Sequence, residues 1–246
     1  MKSLYPWFAC ALLCTQVDAQ GVGGSQSRLS QQRALADEVE SHTHIEGFNL
    51  SRPTVRMDAG PLLSSYDGAK HNGVHQTYWI DVPAAMRSTF NSWAAATSDH
   101  PTGEHLYQDL FFRFFFVHEF GHWASEQVVS RRHDAKAKLA RRNLERNKWE
   151  YELNANRVAV AWWRERDPQF LDRLVGDVRL ILATLPSPVP AGEDDKAYFS
   201  RNLWELVKDP NKYGWYQLRL ILIAYEERPE LTYQQTIARL PLDNYD

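Results

Sequence analysis

The chain has 246 residues, is 43% hydrophobic and 24% charged, and carries a formal net charge of −3. That composition supports a sizeable buried core and excludes a disordered, charge-dominated chain. Its balance of charge gives no reason to expect nucleic acid or a membrane surface as partner. The aromatic share of 13%, with nine Trp, favours a packed, partly helical interior.

The N-terminus reads as a targeting signal. Met1-Lys2 is a short positive start, and Leu4 to Cys14 is an apolar run too short to span a membrane. Val17-Asp18-Ala19 places small residues at −3 and −1, which predicts cleavage between Ala19 and Gln20 and export of the remainder. Cys10 and Cys14 both fall in this segment, so the expected mature chain has no thiol for a disulfide, a nucleophile or a metal.

Residues 20–45 read as a flexible Gly/Ser/Gln-rich leader with a short helix near Gln31–Glu40, and 46–246 as a single domain. Thr77 to Val82 has the β-branched and aromatic character of a strand, stopped by Pro83. Pro83 suits the first turn of a helix running to about Ala96. Ser98–Gly103 is an expected loop, and a helix is expected over Asp109–Val129. Arg131 to Lys148 is rich in Lys and Arg and reads as a solvated connector. Helices are expected near Trp149–Arg166, Pro168–Leu185, Lys196–Lys208, Gly214–Glu227 and Thr232–Leu240, with Pro186 to Pro190 extended between two of them. The expected class is mostly α (α+β), with a small β element early in the chain.

The stretch that carries chemistry is His118-Glu119-Phe120-Gly121-His122. On a helix of 3.6 residues per turn, positions i and i+4 lie about 40° apart, so two imidazoles on one face can grip one metal ion. Glu119 lies roughly 100° round from His118 and can reach water at that ion without being a ligand. The surrounding helix is apolar on most sides, with Asp109, Arg113 and Gln127 sharing one polar edge, so the motif is expected inside a buried helix. Polar groups there cost several kcal/mol without partners. Gly121 costs about 1 kcal/mol in a helix interior, which predicts a close neighbour on its side.

A zinc site needs a third protein ligand, and the next helix offers Glu150 and Glu152. Tyr151, Ala155, Val158, Ala159 and Trp162 define its apolar stripe. Glu152 falls on the border of that stripe, and Glu150 points away with Asn154, Arg157 and Arg164. Asn156, one turn after Glu152, is placed to orient a ligand His through its side-chain oxygen. The competing reading pairs Glu152 with a nearby arginine.

Taken together, the HExxH pentapeptide and Glu152-Leu153-Asn154-Ala155-Asn156, separated by 29 residues, resemble the gluzincin metallopeptidase pattern. The Glu-x-x-Ala-Asn form is similar to the ImmA/IrrE-like branch; the thermolysin-like branch has Asp where this chain has Asn156. The resemblance covers Leu110 to Ala161, about a fifth of the chain. It implies a zincin-like helical core and one zinc ion bound by His118, His122 and Glu152. It also implies a peptide or protein substrate, with Glu119 as general base taking the water proton and passing it to the leaving amine. The tetrahedral oxyanion needs a further donor, for which Tyr198, Tyr213 and Tyr216 are candidates; His105 and His133 are also near the motif in sequence. The strand at Thr77–Val82 precedes the motif helix as the substrate-binding edge does in that family. Two other function classes fit the sequence: a binding protein that keeps the metal and cleaves nothing, and a helical interaction protein with a chance motif.

Overall fold

In a computed structural model, the structure describes residues 30–31, 34–39, 41–43, 54–56, 64–67, 75–78, 82, 84–131, 147–227 and 230–243. The targeting segment, most of the leader and the basic stretch including His133 lie outside the described residues. So do residues 79–81 of the expected strand.

The protein is mostly α. Three short extended segments, β1 (Thr54–Arg56), β2 (Ser64–Asp67) and β3 (His75–Tyr78), pair in the order β1-β3-β2. β3 is parallel to β1 and antiparallel to β2. The helical class does not rest on them.

The helices are α1 (Ala84–Ala95), α2 (Gly103–Leu106), α3 (Phe112–Arg131), α4 (Lys148–Arg166), α5 (Pro168–Thr184), α6 (Asp195–Leu206), α7 (Pro210–Glu226) and α8 (Tyr233–Asp243). Two helix starts differ from the sequence expectation by more than one residue. The motif helix begins earlier: Thr102 caps α2 by accepting from His105 N, and a π-helical turn over Tyr107–Phe111 carries the chain into α3 without a break. The extra residue of that turn points Phe111 at Phe90 and Trp93 of α1. α7 also begins a turn earlier, because Asp209 accepts from Asn211 N and Lys212 N and Pro210 occupies the first turn.

The same chemistry makes the sharp corner between α4 and α5. The Asp167 backbone N–H donates to Trp163 O at the end of α4, while its carboxylate accepts from Phe170 N at the start of α5. Arg113 lies over the Trp163 and Phe170 rings at 4.7 and 4.3 Å, which ties α3 to that corner. The prolines after α5 lead into a turn at Ala191-Gly192, where Glu193 N–H donates to Pro190 O, and Asp194 then caps α6.

α4 is the hub. It packs against α3, α7, α8, α5 and α6, and is buried on nearly every side from Trp149 to Trp163. α1 approaches α7 where Gly214 faces Trp93: a Cβ at 214 would sit 2.4 Å from the indole. Helical residues 34–39 also belong to this body. Val39 is fully buried, and Thr43 Oγ1 and Tyr233 OH are 2.9 Å apart. Together these contacts fix α3 and α4 side by side, which sets the geometry of the histidines.

Candidate metal centre

The close approach of the two helices starts from a missing methyl group. A Cβ on Gly121 would lie 3.0 Å from Ala155 Cα, Ala155 O and Val158 Cβ. Glycine therefore lets α3 settle against α4 over the segment where His118 and His122 face Glu152. The neighbour expected on the Gly121 side is α4 itself.

His118, His122 and Glu152 are all buried, each 4% exposed or less. The two Nε2 atoms are 3.1 Å apart. Glu152 Oε2 lies 3.4 Å from His118 Nε2 and 3.7 Å from His122 Nε2. A tetrahedral ion with bonds of about 2.0–2.1 Å holds its ligand atoms roughly 3.3–3.4 Å apart. The three edges bracket that value, so the spacing of the three atoms is of the size a zinc ion requires. Ligand atoms of His118, Glu119 and His122 also lie within 4.8 Å of one another, so the Glu119 carboxylate borders the same point. Glu119 is half-buried, unlike the other three.

The ring planes are fixed by packing. His122 stacks on Tyr151 at 4.1 Å and 18°, and His118 meets Phe115 edge-on at 6.0 Å. Burial pushes the Glu152 carboxyl up, but hydrogen bonds from His118 and His122 outweigh it and hold the group far below the usual carboxylate range. The charged form is the one a cation requires.

The two carboxylates of α4 go separate ways. Glu150 takes Arg157 at 3.2 Å and Lys196 at 2.6 Å, and Arg157 continues to Asn154 and Glu227. The arginine that could compete for Glu152 is thus occupied elsewhere. Asn156 is fully buried, but its amide donates to the Glu152 backbone carbonyl at 3.0 Å. Its Oδ1 and His118 Nδ1 both lack a hydrogen-bond partner among the described residues, so the orienting bond expected from Asn156 is not formed.

Of the three tyrosines, Tyr213 is at the centre. Gln217 Nε2 donates to Glu152 Oε2 at 3.0 Å and to Tyr213 OH at 2.8 Å. Burial, with the charges of Glu152 and Glu119, pushes the Tyr213 phenol well above its ordinary value. Tyr216 instead packs its ring on Phe199, Trp215 and Trp149, with Asp195 and Tyr198 as its electrostatic neighbours. Tyr198 is half-buried beside that aromatic group. His105 is held on the surface by Thr102 at 2.7 Å.

Sequence reasoning missed Gln217. Its one signal is position: a lone amide in the buried run Trp215-Tyr216-Gln217-Leu218 has to find a polar partner.

No family model matches this chain, and no curated protein or solved structure matches it either. Among the described residues no helix is long and apolar enough to cross a membrane.

Proposed function

We propose that the protein is an exported zinc-dependent metallopeptidase of gluzincin type, with zinc held by His118, His122 and Glu152. The observation that carries this reading is the triangle of 3.1, 3.4 and 3.7 Å between two imidazole nitrogens and one carboxylate oxygen, with a second carboxylate beside it. Zinc, when bound, supplies Lewis acidity towards a carbonyl and makes water a stronger acid.

The remaining work falls to side chains of this chain. His118 and His122 would offer their Nε2 atoms to the ion in place of the contacts they now make with Glu152, and Glu152 would offer its Oε2 from the facing helix. Glu119, half-buried at the edge of the group, takes the proton of the attacking water and returns it to the departing amine. Tyr213 is joined to Glu152 through Gln217, and its hydroxyl hydrogen can be donated to a developing oxyanion. The substrate class is an extended peptide, and the expected signal at residues 1–19 supports action outside the cytoplasm.

The test is zinc stoichiometry and hydrolysis of a peptide library by the purified chain, beside Glu119→Gln. One zinc per chain in both proteins, with hydrolysis lowered at least about hundredfold in the variant, supports the proposal. Zinc without hydrolysis in the parent moves the reading to a metal-containing binding protein. Absence of zinc after it is offered sinks both.

A further inference from the structure

We infer that Gln217 is the positioning residue of the metal centre: its side-chain amide, braced by the Tyr213 hydroxyl, holds the Glu152 carboxylate on the two histidines. The inference rests on the metal-centre reading above.

A carboxylate ligand has two oxygens and can swing about its terminal torsion, so something must choose which oxygen faces the ion. Here the oxygen nearest both imidazoles, Oε2, is the one that receives the Gln217 bond at 3.0 Å. Gln217 is 6% exposed and lies on α7, on a third helix that contributes no ligand. It therefore fixes the ligand from outside the pair that supplies the donors.

The direction of the amide is not free either. Its nitrogen has two hydrogens, and both are used, one on Glu152 and one on Tyr213 OH at 2.8 Å. Reversing the amide would set Oε1 against a charged carboxylate oxygen, acceptor against acceptor. The cost of the observed direction is visible: Oε1 is buried with no hydrogen-bond partner among the described residues. An amide that leaves its own acceptor orphaned is held by the demand for two donors on the other side. Among the described residues, Arg157 of α4 and Lys196 of α6 are engaged with Glu150.

The experiment uses the full chain with zinc and, separately, cobalt(II), comparing the parent with Gln217→Met and Gln217→Glu. Methionine keeps the volume and removes both donors. Glutamate keeps the shape and replaces the donor by a charge that repels Glu152. Affinity is read by competition with a chromophoric chelator, and ligand geometry by the visible absorption of bound cobalt. Zinc affinity should fall about ten- to hundredfold in Gln217→Met and further in Gln217→Glu, with the cobalt absorption altered in both.

A residue that merely fills space would give the opposite order, because glutamate is the closer match in shape. Parental affinity and cobalt absorption in Gln217→Glu would overturn the inference, and this variant carries the test if the methionine protein fails to fold. A parent that binds no metal overturns the metal-centre reading and this inference with it. Metal bound by the parent and held equally by the variants overturns the role of Gln217 alone.

Discussion

Gly121 and Ala155 touch across the α3–α4 seam so closely that a Cβ on the glycine would stand 3.0 Å from both the Cα and the carbonyl oxygen of the alanine. Two of the three nearest atoms are backbone and cannot turn aside. The helices can admit a methyl group only by separating. Gly121→Ala gains about 1 kcal/mol of helix propensity but pays an overpacking penalty of about 1–3 kcal/mol. The expected net is a loss of stability in urea unfolding, together with weaker zinc binding as the ligand triangle widens. A variant more stable than the parent, with zinc affinity unchanged, would show that the seam is slack.

Glu150 and Glu152 are two residues apart on one helix and should respond differently to truncation. Glu152→Ala removes the proposed third ligand, and zinc should be lost or greatly weakened while the Glu150–Lys196 ion pair between α4 and α6 persists. Glu150→Ala should leave zinc stoichiometry at the parental value. It strips Lys196 of its carboxylate and Arg157 of one of two, and is expected to lower stability by roughly 1–3 kcal/mol. Metal analysis and urea unfolding on the two variants check both halves. Equal zinc loss in both would mean that α4 as a whole, and not Glu152, governs the site.

Chelation should destabilise the protein. A ligand that binds only the folded form at about a hundred times its Kd adds roughly 2.7 kcal/mol. Removing zinc with a chelator should therefore lower Tm by several degrees, and restoring zinc should reverse the change. His122→Ala should show a small response or none. A parent whose Tm ignores both chelator and zinc would argue against metal bound between α3 and α4.

Alkaline pH should weaken the fold through Tyr233. Burial raises the phenol of Tyr233 well above its ordinary value of 10.0, with Glu165 adding to the shift and the Thr43 hydrogen bond opposing it. A raised folded value means that the native state holds its proton after the unfolded chain has lost it. The stabilisation is complete below about pH 10 and declines as pH rises beyond it. Tyr233→Phe should lose about 1 kcal/mol at neutral pH, for the Thr43 bond. Its further decline between pH 9 and 11 should be shallower. Unfolding free energies across that range decide the matter, and parallel curves would remove Tyr233 as a source.

Much of this arrangement was legible in one dimension, because it follows from local periodicity. The i, i+4 spacing put His118 and His122 on one face, and the apolar surroundings buried them. Gly121 signalled a close neighbour, and the wheel of the next helix separated Glu152 from Glu150. The helix starts at Asp167-Pro168 and Asp209-Pro210 carry a capping acid followed by proline, yet only the first was read as a start. What could not be read depends on long-range approach. Gln217 is 65 positions from Glu152, and nothing in its own segment says which carboxylate it meets. Tyr213 and Tyr216 sit one turn apart with similar chemistry, and only the packing of α7 sends one to Glu152 and the other to Trp149 and Phe199. The π-helical turn at Tyr107–Phe111 likewise had no compositional mark, since its rings are of the same kind as those that follow.

The donors of the candidate centre are divided between partners, two on α3 and one on α4, and held by an amide from α7. No fragment carrying a single one of these helices possesses the site. A chain still in transit, or one cut between the helices, carries the pentapeptide but cannot use it. On the proposed reading, the division would keep the metal chemistry dormant until α3, α4 and α7 have packed together.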